Sequence, residues 1–385
     1  MATPPLESRL PRVGTTIFTV MSQLALEHRA VNTGQGFPDF EPPLRLRERV
    51  AHHLGAGHNQ YAPMAGVVAL REGIAAKVLR HYRRRVSAEH EVTVTSGGTE
   101  ALTSSILALV HPGDEVLLLE PAYDSYEPVV ELAGARARRI PLARPEFGID
   151  WQLLDDALSA RTRLVIVNSP HNPSGACLTP ADLDRLAALL RPTRTLVLAD
   201  EVYEHMVYDG IAHASLNGHA ELAERSIVVS SFGKTYHATG WKIGYCVAPP
   251  ALTTELRKVH QFNTFAVATP LQYAIADFMT EHPEWEDELP RFYQQKRDRL
   301  ATLLAPGRLR LRPARATYFQ LVDYAAVSSL PDTEFALELI RTHGVAGIPV
   351  SPFCASPPPE ERLLRLCFAK EDATLVAAAE RLTRL

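Results

Sequence analysis

Ile227-Val228-Val229-Ser230-Ser231-Phe232-Gly233-Lys234-Thr235-Tyr236-His237-Ala238-Thr239-Gly240-Trp241-Lys242-Ile243-Gly244-Tyr245 decides how the rest of the chain is read. An apolar strand at 227–229 runs into two lysines set among glycines, hydroxyls and aromatics. The triplet Gly233-Lys234-Thr235 could end a phosphate-binding P-loop, but that motif needs a glycine at position 228, where valine stands. What remains is a lysine at the carboxyl end of a strand, able to form a Schiff base with an aldehyde cofactor. Lys242, eight positions on, can serve as a phosphate counter-charge.

Outward from this stretch, strands and helices alternate. Val92–Thr95 reads as a strand, Ser96-Gly97-Gly98-Thr99 as a Gly-rich turn and Glu100–Val110 as a helix closed by His111-Pro112-Gly113. Backbone N–H groups at Gly98 and Thr99, the Thr99 hydroxyl and the positive end of the helix suit an anion, although such turns are common in α/β proteins. Glu115–Leu119 is an apolar run of the kind found where both sheet faces are covered. Beyond it lies Tyr123, an aromatic able to stack on a flat ring.

The strand Arg163–Asn168 leads to Asn172, between Pro170 and Pro173, whose amide can donate to a phenolate oxygen. A plain Asn-Pro turn is the rival reading. Thr195–Ala199 delivers Asp200-Glu201-Val202-Tyr203. A carboxylate ending a buried strand needs a partner, and a protonated pyridine nitrogen would be one. Asp200 suits that role better than Glu201, which strand alternation turns the other way. Tyr203 can reach the same phenolate oxygen as Asn172.

Ser231-Phe232-Gly233-Lys234-Thr235, followed by Gly240-Trp241-Lys242 and Gly244, resembles the cofactor-lysine segment of the pyridoxal-phosphate aminotransferases of fold type I, class I/II. The branch holds the kynurenine and glutamine transaminases and, nearest in pattern, the bacterial methionine aminotransferases. Further motifs of the family follow in order from Gly34 to Phe368. The resemblance implies pyridoxal 5'-phosphate bound to Lys234 as a Schiff base. It places the phosphate at Gly98, Thr99, Ser231 and Lys242, the ring between Tyr123 and Asp200, and the phenolate oxygen at Asn172 and Tyr203. It also sets the Gly36 backbone against the substrate, where Gly34-Gln35-Gly36 alone reads as a tight turn. Tyr61 resembles a tyrosine that reaches the cofactor phosphate of the neighbouring subunit, so a homodimer is expected. Arg365 stands inside the apolar strand Leu363–Phe368 and is either ion-paired or waiting for an anion. The resemblance assigns it, with Asn172, to the substrate α-carboxylate, gripped in a bidentate fork.

The implied fold is α/β, with a large cofactor-binding domain over 46–285 built on a mostly parallel sheet, and a small α+β domain from 1–45 and 286–385. Periodicity predicts helices over 16–27, 43–54, 67–86, 251–280 with a break near 268–270, 282–305, 333–343 and 373–385. Short strands are predicted at 309–311, 318–322 and 345–350.

With 385 residues, 46% of them apolar, and a formal charge of −4, the chain offers no electrostatic case for nucleic acid or an anionic membrane. No apolar run approaches a membrane span. The first thirty residues lack the core of a signal peptide, and the four cysteines form no C-x-x-C pair, so a reducing cytoplasm is expected. His52, His53 and His58 lack a nearby carboxylate or cysteine, and no metal is expected there. Ile17, Phe18, Tyr61 and Tyr123 suggest an apolar or aromatic substrate pocket, with no second arginine in a motif to demand a dicarboxylic acid. Methionine, aromatic amino acids or glutamine then become the expected donors, and a 2-oxo acid the acceptor. The same residues would support a kynurenine or glutamine transaminase with β-elimination from cysteine conjugates. A cofactor-sensing regulatory domain would need a DNA-binding module, for which no residues remain.

Overall fold

The structure, a computed structural model, describes residues 6–385, so residues 1–5 of the expected small domain and of the N-terminal leader reading lie outside it. A seven-stranded sheet runs in the order Val92–Thr95, Gly244–Val247, Ser226–Ser231, Leu196–Asp200, Thr162–Asn168, Glu115–Glu120, Arg136–Pro141. Its neighbours are parallel except at Gly244–Val247, which is antiparallel to the strand on either side.

Helices cover both faces of this sheet, and strand alternation divides the apolar side chains between them. Val116, Leu118, Leu164, Ile166, Leu198, Ile227 and Val229 join the core on one face. Leu117, Leu119, Val165, Val167, Val197, Ala199 and Val228 join the core on the other. That is why these segments read as unbroken apolar runs. The edge strand Arg136–Pro141 escaped the sequence reading because its arginines carry no apolar period. It is held by register on Glu115–Glu120, with Arg138 meeting Glu115 and Arg139 meeting Glu120 across the pair.

Several boundaries differ from the sequence expectation for local reasons. The helix expected from Glu100 begins at Gly97, so the glycine turn is itself the first helical turn. The helix expected over 67–86 spans Val68–Tyr82, because Arg83 takes a left-handed conformation, φ 60°, and caps it. The long helix starts at Trp285 rather than 282, and the segment 345–350 divides into Val345–Ala346 and Ile348–Pro349, which join different sheets.

The second sheet is antiparallel, ordered Ile348–Pro349, Leu363–Cys367, Phe319–Asp323, Arg310–Leu311. Val31–Asn32 pairs with Val345–Ala346, and the Thr33 carbonyl accepts from the Cys367 N–H at 2.7 Å. The N-terminal loop 33–37 is thereby laid across the strand that carries Arg365.

Candidate active site

The chemistry-bearing residues converge at the carboxyl ends of the parallel strands, where open α/β sheets place ligands. One cavity is lined by Gly98, Thr99, Tyr123, Asn172, Asp200, Tyr203, Ser231, Lys234 and Lys242, and also by Phe18, Gly36 and Arg365. Two expected residues lie outside it: Ile17, which packs against the core of the smaller sheet, and Tyr61, which is 84% exposed with its ring edge-on to Phe265 at 5.2 Å. Glu201 turns to the opposite side and accepts from His213 and the Leu216 N–H.

At one end of the cavity, the helix Gly97–Leu109 presents its first turn. The N–H groups there have no partner inside the helix and form an anion cradle. Gly97 has φ +73°, and a β-carbon on it would lie 3.3 Å from the Lys242 ammonium. Only glycine lets the helix end and the lysine approach so closely. Ser231, the last residue of its strand, lines the same end.

Across the floor, Asp200 is 4% exposed and accepts from the Tyr126 hydroxyl at 2.6 Å and the Val202 N–H at 3.3 Å. Burial pushes its carboxyl above the usual range, while the Tyr126 hydroxyl, the Val202 N–H and the Lys234 charge pull the other way. Such a carboxylate would gain from a cation facing it. Burial lowers Lys234 to about 8, with Lys242 and Arg365 adding repulsion, so roughly a tenth of its amine is neutral at pH 7, far more than for an ordinary lysine, and able to act as a nucleophile or base.

At the opposite end lies Arg365, 1% exposed. Its Nη1 donates to Asn172 Oδ1 at 2.8 Å and its Nη2 to the Gly34 carbonyl at 3.0 Å, while its Nε has no partner. Among the described residues no carboxylate pairs with it. The guanidinium rests 3.9 Å from the Phe319 ring centroid and 5.1 Å from that of Phe18. A β-carbon on Gly36 would meet the Phe319 ring at 2.9 Å, which explains the glycine. Because Asn172 accepts from Arg365 through its oxygen, its NH₂ group remains to donate into the cavity.

Other groups were missed in the sequence because their meaning lies in contacts. Tyr126 stood in the stretch around Tyr123, but nothing local ties it to Asp200. Tyr318 reads only as part of a strand, yet its hydroxyl lies 2.8 Å from Lys234 Nζ. Asp277 brings a carboxylate to His53 at 2.8 Å, which corrects the premise that none stands near those histidines. Elsewhere His81, His205 and Glu286 gather ligand atoms within 4.8 Å of one another. Arg80 already pairs with Glu286, and Lys77 lies 2.5 Å from Glu204 beside His205, so cations hold that place electrostatically. A larger cavity, about 850 Å³, lies between segments 144–149, 174–179 and 310–315. Its nucleophile candidate is inert: burial pushes the Cys177 thiol up to about 12.

A lysine with a lowered pKa, lining a cavity at the strand ends of this sheet order, fits an enzyme of the fold type I class. Residues 29–382 match the aminotransferase class I and II family, and the chain belongs to that pyridoxal-phosphate-dependent family and is an aminotransferase. It is 53% identical to the methionine aminotransferase of Escherichia coli strain K12 over 98% of both chains. It is 40% identical, over 98% of both chains, to a probable N-succinyldiaminopimelate aminotransferase of Mycobacterium tuberculosis. A crystal structure of the Escherichia coli protein YbdL, identified there as having a methionine aminotransferase function, superposes with a TM-score of 0.97, 53% identity and coverage of 99% of this chain and 100% of the other.

Proposed function

We propose that this chain transfers the amino group of methionine to a 2-oxo acid with pyridoxal 5'-phosphate held in the cavity, as a homodimer in the cytoplasm. The observation that carries the reading is Arg365, a buried guanidinium with a free Nε–H and no counter-ion, in the same cavity as a lysine lowered to about 8. An α-amino acid offers what both lack: a carboxylate for the fork and an α-carbon for the amine.

The donor set fits the cofactor. Gly98, Thr99, Ser231 and Lys242 would hold its phosphate, Asp200 its ring nitrogen, Tyr123 its ring face, and the Asn172 amide with Tyr203 its phenolic oxygen. Pyridoxal phosphate supplies an aldehyde that condenses with amines and a ring that withdraws electrons from the substrate α-carbon. Lys234 anchors the cofactor between turnovers and, once its amine is free, takes the proton from the substrate α-carbon onto Nζ and returns one from there. Arg365 binds the α-carboxylate through Nε–H and the remaining hydrogens of its terminal nitrogens, which fixes the α-carbon against Lys234.

Phe18, Phe37, Leu102 and Tyr123 make the rest of the wall largely apolar, and among the described residues Arg365 is the only arginine on it. A second carboxylate, as on N-succinyldiaminopimelate, would meet no arginine in this subunit's cavity. That favours an uncharged side chain such as methionine's. The proposed division at 46 and 285 is supported by all strands of the larger sheet falling between those positions and those of the antiparallel sheet, with Arg365, falling beyond them. Supporting the compartment, no helix among the described residues is long and apolar enough to cross a membrane, and all four cysteines are free thiols.

The visible absorption of the holoenzyme tests the reading. Adding L-methionine without an oxo acid is expected to bleach the cofactor band, and a 2-oxo acid to restore it. A band unmoved by methionine but bleached by an acidic donor would overturn the substrate assignment.

A further inference from the structure

Tyr318 immediately precedes the strand Phe319–Asp323 and is wholly buried, at 0% exposure. Its hydroxyl oxygen lies 2.6 Å from the Gly36 carbonyl oxygen and 2.8 Å from Lys234 Nζ. A phenol has one hydrogen, and a carbonyl can only accept. Tyr318 therefore donates to Gly36, and its lone pairs face the lysine, which must donate to it. Burial raises the phenol well above its usual range, so that single hydrogen stays in place. The Gly36 carbonyl takes a second, longer bond from Nζ at 3.3 Å. The amine is thus held by two oxygens that cannot exchange roles.

The tyrosine cannot swing away. Its ring stands edge-on to Tyr203 at 5.2 Å and to Phe319 at 4.9 Å, and it packs on Tyr293 at 5.7 Å. Thr317, just before it, is locked at φ +64° with its N–H bonded to the Met206 carbonyl at 2.8 Å.

We propose that Tyr318 is a positioning residue for Lys234: its phenol oxygen and the Gly36 carbonyl form a dock that holds the free lysine amine beside the substrate. The proposal rests on the reading of Lys234 as the cofactor lysine. When Nζ takes the proton from the substrate α-carbon, the resulting ammonium donates one N–H to Tyr318 and one to Gly36 and keeps the third for the return transfer. Tyr318 itself neither gains nor loses a proton. Because Gly36 belongs to the loop that crosses the Arg365 strand, the dock also ties the lysine to the segment closing over the substrate.

Tyr318→Phe removes the oxygen and keeps the ring. In the enzyme loaded with pyridoxamine 5'-phosphate, in which Lys234 is free, carbamylation of Lys234 by cyanate is followed against pH by peptide mass. Loss of an acceptor for the charged amine is expected to lower the titration midpoint by about one pH unit. In turnover, kcat is expected to fall about tenfold with KM for methionine little changed, and the deuterium isotope effect from α-deuterated methionine to rise as proton transfer becomes limiting. An unshifted midpoint together with an unchanged isotope effect would overturn the dock. Should the variant fail to fold, a crystal structure of the wild-type enzyme with pyridoxamine phosphate decides instead: Nζ within about 3.2 Å of the Tyr318 oxygen supports the dock, and Nζ beyond hydrogen-bond reach refutes it. Failure of the underlying reading looks different, because Lys234→Ala would then retain transamination.

Discussion

Arg365 shows how much a single residue can say before any contact is known. One guanidinium inside Leu363–Cys367 left two readings open, an ion pair or a waiting anion site. The structure decides between them through neighbours no local pattern could name: Asn172, from 193 positions away, and the Gly34 carbonyl occupy two nitrogens, and nothing occupies Nε. Arg365→Lys keeps a charge but loses the planar fork. KM for every amino acid is expected to rise about tenfold, equivalent to about 1.4 kcal/mol, while the cofactor's visible band stays. Steady-state kinetics with methionine and an aromatic donor check this, and an unchanged KM for both would remove Arg365 from the carboxylate site. Lys234, Asp200 and Asn172 were legible because each follows an apolar strand run. Tyr126 and Tyr318 were not, since a tyrosine's role depends on what its hydroxyl meets.

Among the elements, the helix Trp285–Leu304 was visible from its period, but what anchors its start was not. Glu286, 3% exposed, meets Arg80 and His81 from the helix Val68–Tyr82. Burial works against its charge, yet His81, Lys77, His205 and Arg80 together hold its carboxyl down to about 2, against an ordinary 4.5. A carboxyl whose proton affinity falls on folding stabilises fully above its unfolded value, and that contribution is lost as pH falls toward the folded one. Glu286→Gln is therefore expected to lower stability near neutrality by roughly 1–3 kcal/mol. The gap to wild type should narrow between pH 4.5 and about 2. Urea unfolding across that range measures it, and a gap that does not change with pH would mean that the charge plays no part. The same scale explains the helix at Gly97: two glycines read as a turn, but the anion cradle needs them inside the first helical turn, which only the backbone reveals.

For the whole molecule, the proposed dimer turns on Tyr61. It is 84% exposed, with its ring edge-on to that of Phe265, itself 40% exposed, and in the proposed dimer a second copy would cover both. If Tyr61 serves the neighbouring site, Tyr61→Ala and Lys234→Ala subunits, each impaired alone, complement one another. Their hybrid dimer carries one doubly defective site and one intact site, so a refolded equal mixture is expected to reach about a quarter of wild-type activity. Activity no greater than the two variants assayed separately would place Tyr61 in its own subunit's site or in none. By itself the sequence determined the α/β layering and put the candidate site residues, Lys234 among them, at strand ends, because burial on both sheet faces forces apolar runs and the candidates follow them. Only the tertiary structure decided the edge strand 136–141, the partners of Asp200 and Lys234, and the laying of loop 33–37 across Arg365. Those rest on contacts between segments as far apart as Thr33 and Cys367, and distance of that kind leaves no period in the chain.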